Sequence, residues 1–127
     1  MQVTNLVFVF IGGGIGSTLR YLVGTTMQKI SNGWIFPVGT LTVNLIGCLI
    51  IGLLGGLAES KGIFQSDLRL FIFVGIIGGF TTFSNFGYET IQLFRDGEVF
   101  YALANASLQV VLGLLSVWLG YILSRLL

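Results

Sequence analysis

The sequence predicts an all-α integral membrane protein with four transmembrane helices, forming a single domain over residues 1–127. Two observations predict this fold class. Hydrophobic residues make up 54% of the 127 residues and charged residues only 9%, whereas a soluble domain carries roughly 25% charged residues. Four apolar stretches also reach the roughly 20 residues that span a bilayer. They cover about 3–28, 37–58, 69–94 and 98–126, and short polar or glycine-containing segments separate them.

The first span lies at the N-terminus. "MQVTN" lacks the basic residues of a signal peptide, and no cleavage site ends a short apolar run, so we expect the segment to remain as a span. "GGGIGS" at 12–17 departs from a dinucleotide-binding fingerprint, because Ser17 stands in place of the last glycine and no soluble strand precedes it. Glycines four residues apart predict close helix packing in lipid instead. These pairs are Gly12/Gly16, Gly52/Gly56 and Gly75/Gly79.

The basic residues are balanced across the predicted membrane. With four spans, both termini lie on one side, and each side carries three Lys or Arg residues: Lys61, Arg69 and Arg125 on one, Arg20, Lys29 and Arg95 on the other. Membrane orientation follows an excess of Lys and Arg in cytoplasmic loops, and here there is no excess. Two explanations stay open. The N-terminus or the depth of Arg20 decides the orientation, or the chain inserts both ways and opposed copies pair.

Polar side chains follow one face of the second and fourth spans. In the second, Thr40 and Asn44 are four residues apart and share a face with Gly47. In the fourth, three polar residues fall within about 40° of each other at the helical repeat, namely Asn105, Gln109 and Ser116. Such groups can be interhelical contacts worth roughly 0.6 kcal/mol each. Two stripes on two spans favour a polar-lined path.

The third span contains "GGFTT" at 78–82, a cluster of poor helix formers that predicts a break near the middle of the helix. In lipid, a broken backbone survives only where it is buried in protein or lines a cavity, and its carbonyl oxygens suit a small cation. Beyond the break, Phe83, Phe86 and Thr90 share one face, and Asn85 and Glu89 share another. The phenylalanines are packing residues, or their positive ring edges face an anion.

Enzymatic chemistry is poorly supplied. The chain has no histidine and a single cysteine, Cys48, so it offers neither an internal disulfide nor a metal site of the usual spacing. We expect Cys48 to be a small packing residue. No nucleotide-binding or nucleic-acid-binding feature is visible. The sequence therefore predicts a non-enzymatic membrane protein.

These residues resemble the CrcB/Fluc family of fluoride channels nearly end to end. The likeness includes "GGGIGSTLRY" (12–21), "GTLTVNLIG" (39–47) and, most specifically, "GGFTTFSNF" (78–86). The resemblance implies a dual-topology antiparallel homodimer in the inner membrane of a bacterium, with two pores that let fluoride leave the cell passively and so lower its toxicity. It also implies a central structural sodium ion, bound by the backbone carbonyls of Gly78 and Thr81 from both chains.

The resemblance extends to individual residues. Asn44, Phe83 and Phe86 match the pore asparagine and phenylalanines, Arg20 matches the basic residue near the wide entrance, and Glu89 matches the third-helix carboxylate. The other candidate pore or vestibule residues are Thr40, Thr82, Ser84, Asn85, Thr90, Asn105, Gln109 and Ser116.

Two positions depart from the family pattern. Asn85 replaces a threonine, since "FSNF" stands where the family has "FSTF", and Gly113 replaces a serine in the fourth span. Gln109 and Ser116 lie on a nearby face and are candidates to replace the missing hydroxyl. These departures also leave open a heterodimer with a paralogue.

Two other functions are compatible with four short spans. A small proton-coupled multidrug exporter has the same size and dual topology, but its defining carboxylate lies in the first helix, where this chain has no acid. The only acid that we expect to be buried is Glu89, in the third. A purely structural membrane subunit would not need two polar stripes and a broken helix.

Overall fold

The computed structural model describes residues 2–127, and within them every regular element is helical. Helix α1 covers Val3–Ile30, α2 covers Val38–Lys61 and α6 covers Val99–Leu126. The remaining span, Ser66–Arg95, is built from shorter pieces. All four are long and apolar enough to cross a membrane, which confirms the prediction of four transmembrane helices.

The third span is broken near its middle, as predicted. Its pieces are α3 (Ser66–Arg69), a π-helical segment (Leu70–Ile77), α4 (Gly78–Phe80) and α5 (Phe83–Arg95). Between α4 and α5, Thr81 (φ −80°, ψ 159°) and Thr82 (φ −150°, ψ 119°) are extended. Gly78 and Gly79 remain helical, so the break follows the glycine pair instead of starting at it.

Helices α2 and α6 pack closely against each other through a seam of glycines. A Cβ atom on Gly52 would overlap the carbonyl oxygen of Val117, and one on Gly120 would overlap that of Leu49. Gly56 similarly faces Ser124. Only glycine lets the two backbones approach this far, which is the packing that small residues four apart predict in lipid.

Helix α1 packs against the first half of the third span in the same way. A Cβ atom on Gly12 would lie 2.6 Å from the carbonyl oxygen of Phe71, and one on Gly79 would lie 2.7 Å from that of Gly13. A third close contact joins α1 to α2, where a Cβ atom on Gly39 would overlap the carbonyl oxygen of Gly24. These contacts confirm that the glycine pairs of the first, second and third spans lie at helix contacts.

The connection between α1 and α2 is fixed by Gln28. Its amide nitrogen donates to the carbonyls of Trp34 (3.0 Å) and Phe36 (3.2 Å), and its amide oxygen accepts from the backbone N–H of Gly39 (3.1 Å). Because these loop groups are paired, the start of α2 is held against the end of α1. This positions Thr40, in the first turn of α2, and Asn44, about one turn beyond it.

Candidate functional site at the helix break

The break in the third span is held open by Asn44 of α2. In a continuous helix the backbone N–H of Thr82 would donate to the carbonyl of Gly78, four residues earlier. It donates instead to Oδ1 of Asn44 at 2.8 Å, and Nδ2 of Asn44 donates to the carbonyl oxygen of Thr82 at 3.0 Å. One amide side chain thus satisfies both backbone groups of an extended, buried residue, which removes the cost of leaving them unpaired.

The carbonyls of Gly78 and Thr81 are among those that lose their helical donors at this point. The N–H of Thr82 goes to Asn44, which frees the carbonyl of Gly78, and the N–H of Asn85 goes to the hydroxyl of Thr82 (3.2 Å), which frees that of Thr81. The Thr81 oxygen accepts from Nη1 of Arg20 at 3.2 Å and keeps a second lone pair. Carbonyl oxygens are hard ligands, the type that small cations prefer.

One cavity lies on the Phe83 side of the break. We call it the phenylalanine cavity; it measures about 320 Å³, and its lining includes Asn44, Thr81, Thr82, Phe83, Phe86 and Gln109. The rings of Phe83 and Phe86 meet edge to face, with centroids 5.3 Å apart and planes inclined by 64°. In such a pair one ring turns its positive edge toward the other. The predicted shared face of the two phenylalanines is present and borders open space.

A second cavity lies on the opposite side of the break. This polar cavity measures about 500 Å³, and five of the candidate polar residues line it: Arg20, Thr40, Thr82, Asn85 and Glu89. The hydroxyl of Thr40 donates to Oε1 of Glu89 at 2.7 Å, which joins α2 to α5 across the cavity wall. Asn85 and Glu89 therefore lie apart from the phenylalanines, on the separate helix face that the spacing predicts.

Thr82 is the residue that the two cavities share. It is 7% exposed, extended, and caps α5 by accepting the N–H of Asn85 through its hydroxyl. The same hydroxyl lies 3.3 Å from that of Ser84. Since an unbroken helix would place Thr82 inside a turn, the break is what puts its hydroxyl between the cavities.

Gln109 of α6 reaches the break through Asn44. Its Oε1 accepts from Nδ2 of Asn44 at 3.0 Å, and the residue is only 9% exposed. Its Nε2 atom is buried and has no hydrogen-bond partner within residues 2–127. Three spans therefore meet at the break: α2 through Asn44, α6 through Gln109, and the third through Thr82.

The remaining candidates lie further from the break. Nδ2 of fully buried Asn105 donates to the hydroxyl of Thr90 at 2.9 Å, and that hydroxyl donates to the carbonyl of Phe86 at 2.7 Å. The two residues thus fix the turn of α5 that carries Phe86, without lining either cavity. Ser116, two turns beyond Gln109 on α6, is partly exposed and also lines neither cavity.

One polar face of the site was not predicted. Ser17, Tyr21, Gly24 and Gln28 of α1 line the polar cavity together with Arg20. Their spacing of three and four residues is the repeat of one helix face. That repeat is visible in the sequence, but within a span it does not distinguish a cavity wall from a helix contact.

Comparison with known proteins gives one consistent result. The family described as CrcB-like protein, Camphor Resistance (CrcB), matches residues 7–121. A protein of Methylobacillus flagellatus named fluoride-specific ion channel FluC is 45% identical over 122 residues, which are 96% of this chain and 95% of that protein. A protein of the same name from Parabacteroides distasonis is 46% identical over 117 residues, covering 92% and 90% of the two chains. One from Helicobacter pylori is 44% identical over 124 residues, covering 95% of each.

Proposed function

The chain belongs to the CrcB family, and we propose that it is a fluoride-selective ion channel of a bacterial cell membrane. Fluoride leaves the cytoplasm through it passively, which lowers the toxicity of the ion. The observation that carries the proposal is a pair of cavities beside the broken helix, which share Thr82 in their walls. In this proposal a permeating ion passes from one cavity to the other at Thr82.

The chemistry of the route suits fluoride. Fluoride is small and strongly hydrated, so a selective path must replace its water with hydrogen-bond donors and other positive groups. The polar cavity offers the Arg20 guanidinium and rotating hydroxyls, and the phenylalanine cavity offers aromatic ring edges. Hydroxyls can turn to donate as the ion passes, and ring edges attract it without binding it tightly.

The order of groups along the route suggests how the ion moves. Arg20 at the polar cavity raises the local concentration of anions by its charge. Thr82 then stands between the cavities, and Phe83 and Phe86 line the second. Within residues 2–127, no basic side chain lines the phenylalanine cavity, so an anion is held there by weaker partial charges and can leave, as conduction requires.

A second copy of the chain completes the channel in this proposal. Two copies insert in opposite orientations and pair as an antiparallel homodimer with two pores. The balance of three basic residues on each side supports dual insertion. Phe83 is 82% exposed in the single chain, so it lies where a partner can cover it and close the phenylalanine cavity.

A sodium ion at the dimer axis is part of the same proposal. The carbonyls of Gly78 and Thr81, the second of which also accepts from Arg20, would hold it together with those of the partner copy. When bound, the ion would supply a fixed positive charge close to the break, where the low dielectric makes charge act strongly. The chain itself keeps these two oxygens available. Asn44 accepts the N–H of Thr82 and the hydroxyl of Thr82 accepts the N–H of Asn85, so neither N–H donates to them.

Growth in fluoride tests the function in cells. We expect a bacterium that lacks its own fluoride export to grow, when it expresses this chain, at fluoride concentrations that stop cells carrying the empty vector. Chloride at the same concentration should not separate the two strains. Cells that contain the inserted, folded chain and remain as fluoride-sensitive as the control would overturn the proposal.

A further inference from the structure

Gly47 of α2 faces the helix break, unlike the glycines that pack two continuous helices together. A Cβ atom on Gly47 would overlap the methyl carbon Cγ2 of Thr81 and would lie 3.4 Å from Cδ1 of Phe80. The seam glycines Gly52 and Gly120 instead meet backbone carbonyl oxygens of an unbroken neighbouring helix. The missing side chain of Gly47 therefore leaves a notch on α2, and the methyl group of Thr81 occupies it.

Three further contacts hold Thr81 in the orientation in which its methyl group enters the notch. Its backbone N–H and its hydroxyl both donate to the carbonyl of Ile77, each at 3.0 Å. Its carbonyl accepts from Nη1 of Arg20 at 3.2 Å. Because threonine is branched at Cβ, the position of the hydroxyl fixes the direction of the methyl group. Thr81 could turn away from a larger residue at position 47 only by giving up the bond from its hydroxyl to Ile77.

Helix α2 thus contacts both extended residues of the break, from two positions one turn apart. Asn44 pairs with the backbone N–H and carbonyl of Thr82, and Gly47, three residues later on the same face, receives the side chain of Thr81. All four residues line the phenylalanine cavity. The amide of Asn44 fixes the backbone of Thr82, whereas the notch sets how closely Thr81 approaches α2.

We propose that Gly47 is the positioning residue for Thr81: it seats the methyl group of Thr81, and this contact keeps the break at the distance from α2 that conduction requires. The inference rests on the proposed fluoride function and adds a residue to that same site. A side chain at position 47 would push Thr81 away from α2. Such a displacement would move both the wall of the phenylalanine cavity and the carbonyl that Arg20 contacts.

An exchange of size between the two residues tests the proposal in protein reconstituted into liposomes. Gly47→Ala fills the notch, and we expect fluoride efflux per folded protein to fall at least about tenfold, because a packed site accommodates an added methyl group only by moving its neighbours. Thr81→Ser removes Cγ2 and keeps the hydroxyl, which leaves the notch empty, and we expect efflux to fall about threefold. In the double variant the alanine methyl group takes the space of Cγ2. Efflux should then be at least that of Thr81→Ser alone, so that the same Gly47→Ala change is harmful beside threonine and harmless beside serine.

Gly55→Ala is the control, about two turns further along α2, because its Cβ atom would meet only a ring carbon of Phe73 at 4.0 Å. It should conduct normally. Melting temperatures measured on the same preparations separate efflux from folding. Gly47→Ala protein that melts at a lower temperature but conducts normally per folded protein would overturn the proposal, since Gly47 would then only stabilise the bundle.

The double variant decides the remaining outcomes. A loss of efflux in Gly47→Ala that Thr81→Ser does not relieve would overturn the proposal, because the added methyl group would then act through another neighbour such as Phe80. If Gly47→Ala does not fold, a double variant that folds and conducts like Thr81→Ser supports the proposal, and one that fails to fold or conducts far less overturns it. Absence of fluoride efflux from the unaltered chain would instead overturn the proposed function, and this inference with it.

Discussion

The glycine seam between α2 and α6 and the break in the third span are both built around glycines and backbone carbonyls, with opposite results. In the seam, Gly52 and Gly120 have no side chain, so the carbonyl oxygens of the facing helix lie directly against their backbone atoms. Both helices remain continuous. In the break, the carbonyls of Gly78 and Thr81 lose their helical donors and are freed for other partners.

The difference lies in what the neighbouring helix presents. At the seam, the facing helix presents backbone atoms and small side chains, so the two helices pack in direct contact and leave no space between them. Opposite the break it presents Asn44, whose amide pairs with the extended Thr82. Small residues in a membrane helix therefore do not by themselves indicate a site. A site needs a polar side chain on the neighbouring helix that takes over the backbone's hydrogen bonds.

The largest effect should come from adding a methyl group to the seam. In Gly52→Ala the new Cβ would overlap the carbonyl of Val117, and neither backbone can yield cheaply, so we expect a loss of about 2–3 kcal/mol and little folded protein. Gly55→Ala is the matched control, because only a ring carbon of Phe73, at 4.0 Å, faces its Cβ. Monodisperse yield in detergent and melting temperature measure the effect. If the two variants behave alike, the seam is not what holds α2 to α6.

Forcing a single orientation should remove most of the function without touching either region. Two lysines added to the 59–67 loop should hold that loop in the cytoplasm, so a chain expressed alone would lack antiparallel partners. We expect fluoride resistance to fall to near that of the empty vector. Co-expression with a chain carrying two extra lysines in the 29–36 loop should restore it. Full resistance from the first variant alone would rule out the antiparallel dimer, and the shared sodium site with it.

Phe86→Ile should affect conduction and spare the fold. The substitution keeps an apolar side chain in the phenylalanine cavity and removes the ring edge, so we expect efflux per folded protein to fall up to about tenfold, with little change in melting temperature. Phe94→Ile serves as the control on the same helix, because Phe94 is 52% exposed and lines neither cavity. A variant that loses stability but conducts normally per folded protein would make Phe86 a packing residue.

Thr40→Val should give the smallest effect. It keeps the shape of the side chain and removes the hydroxyl that donates to Glu89 across the polar cavity. We expect fluoride efflux to fall about threefold, consistent with a net hydrogen bond of roughly 0.5–1.5 kcal/mol. Thr42→Val, two residues along α2, should be silent, since Thr42 lines neither cavity. Equal efflux from both variants would remove the polar cavity from the ion path.

The sequence predicts the spans well because hydrophobicity alone determines them. It also predicts the break, because Gly78, Gly79 and the two threonines are poor helix formers, although the extended residues are Thr81 and Thr82 and the glycines stay helical. The low helix propensity of these residues indicates that a helix is unstable there. The position of the break depends on the hydrogen bond to Asn44, 38 residues away along the chain. The π-helical turn before the break was not predicted either, since no local pattern marks it.

The candidate site was predicted as a set of residue types more than as an arrangement. Spacing placed Phe83 and Phe86 on one face and Asn85 and Glu89 on another, as the two cavities show. It could not show that the amide hydrogens of Asn44 are already used, because that depends on a contact between three spans. Nor could it separate Gln109 from Ser116, since both lie on one stripe of α6 and only their depth in the bundle differs.

Efflux of fluoride and of chloride from liposomes containing only this chain tests the central claim most directly. The claim is that the path through the break selects fluoride by donors and ring edges, without a basic side chain in the phenylalanine cavity. Ion-selective electrodes would follow both anions under the same gradient, with protein-free liposomes as the blank. The account predicts rapid fluoride efflux and chloride efflux no faster than the blank. Chloride efflux comparable to that of fluoride would contradict it.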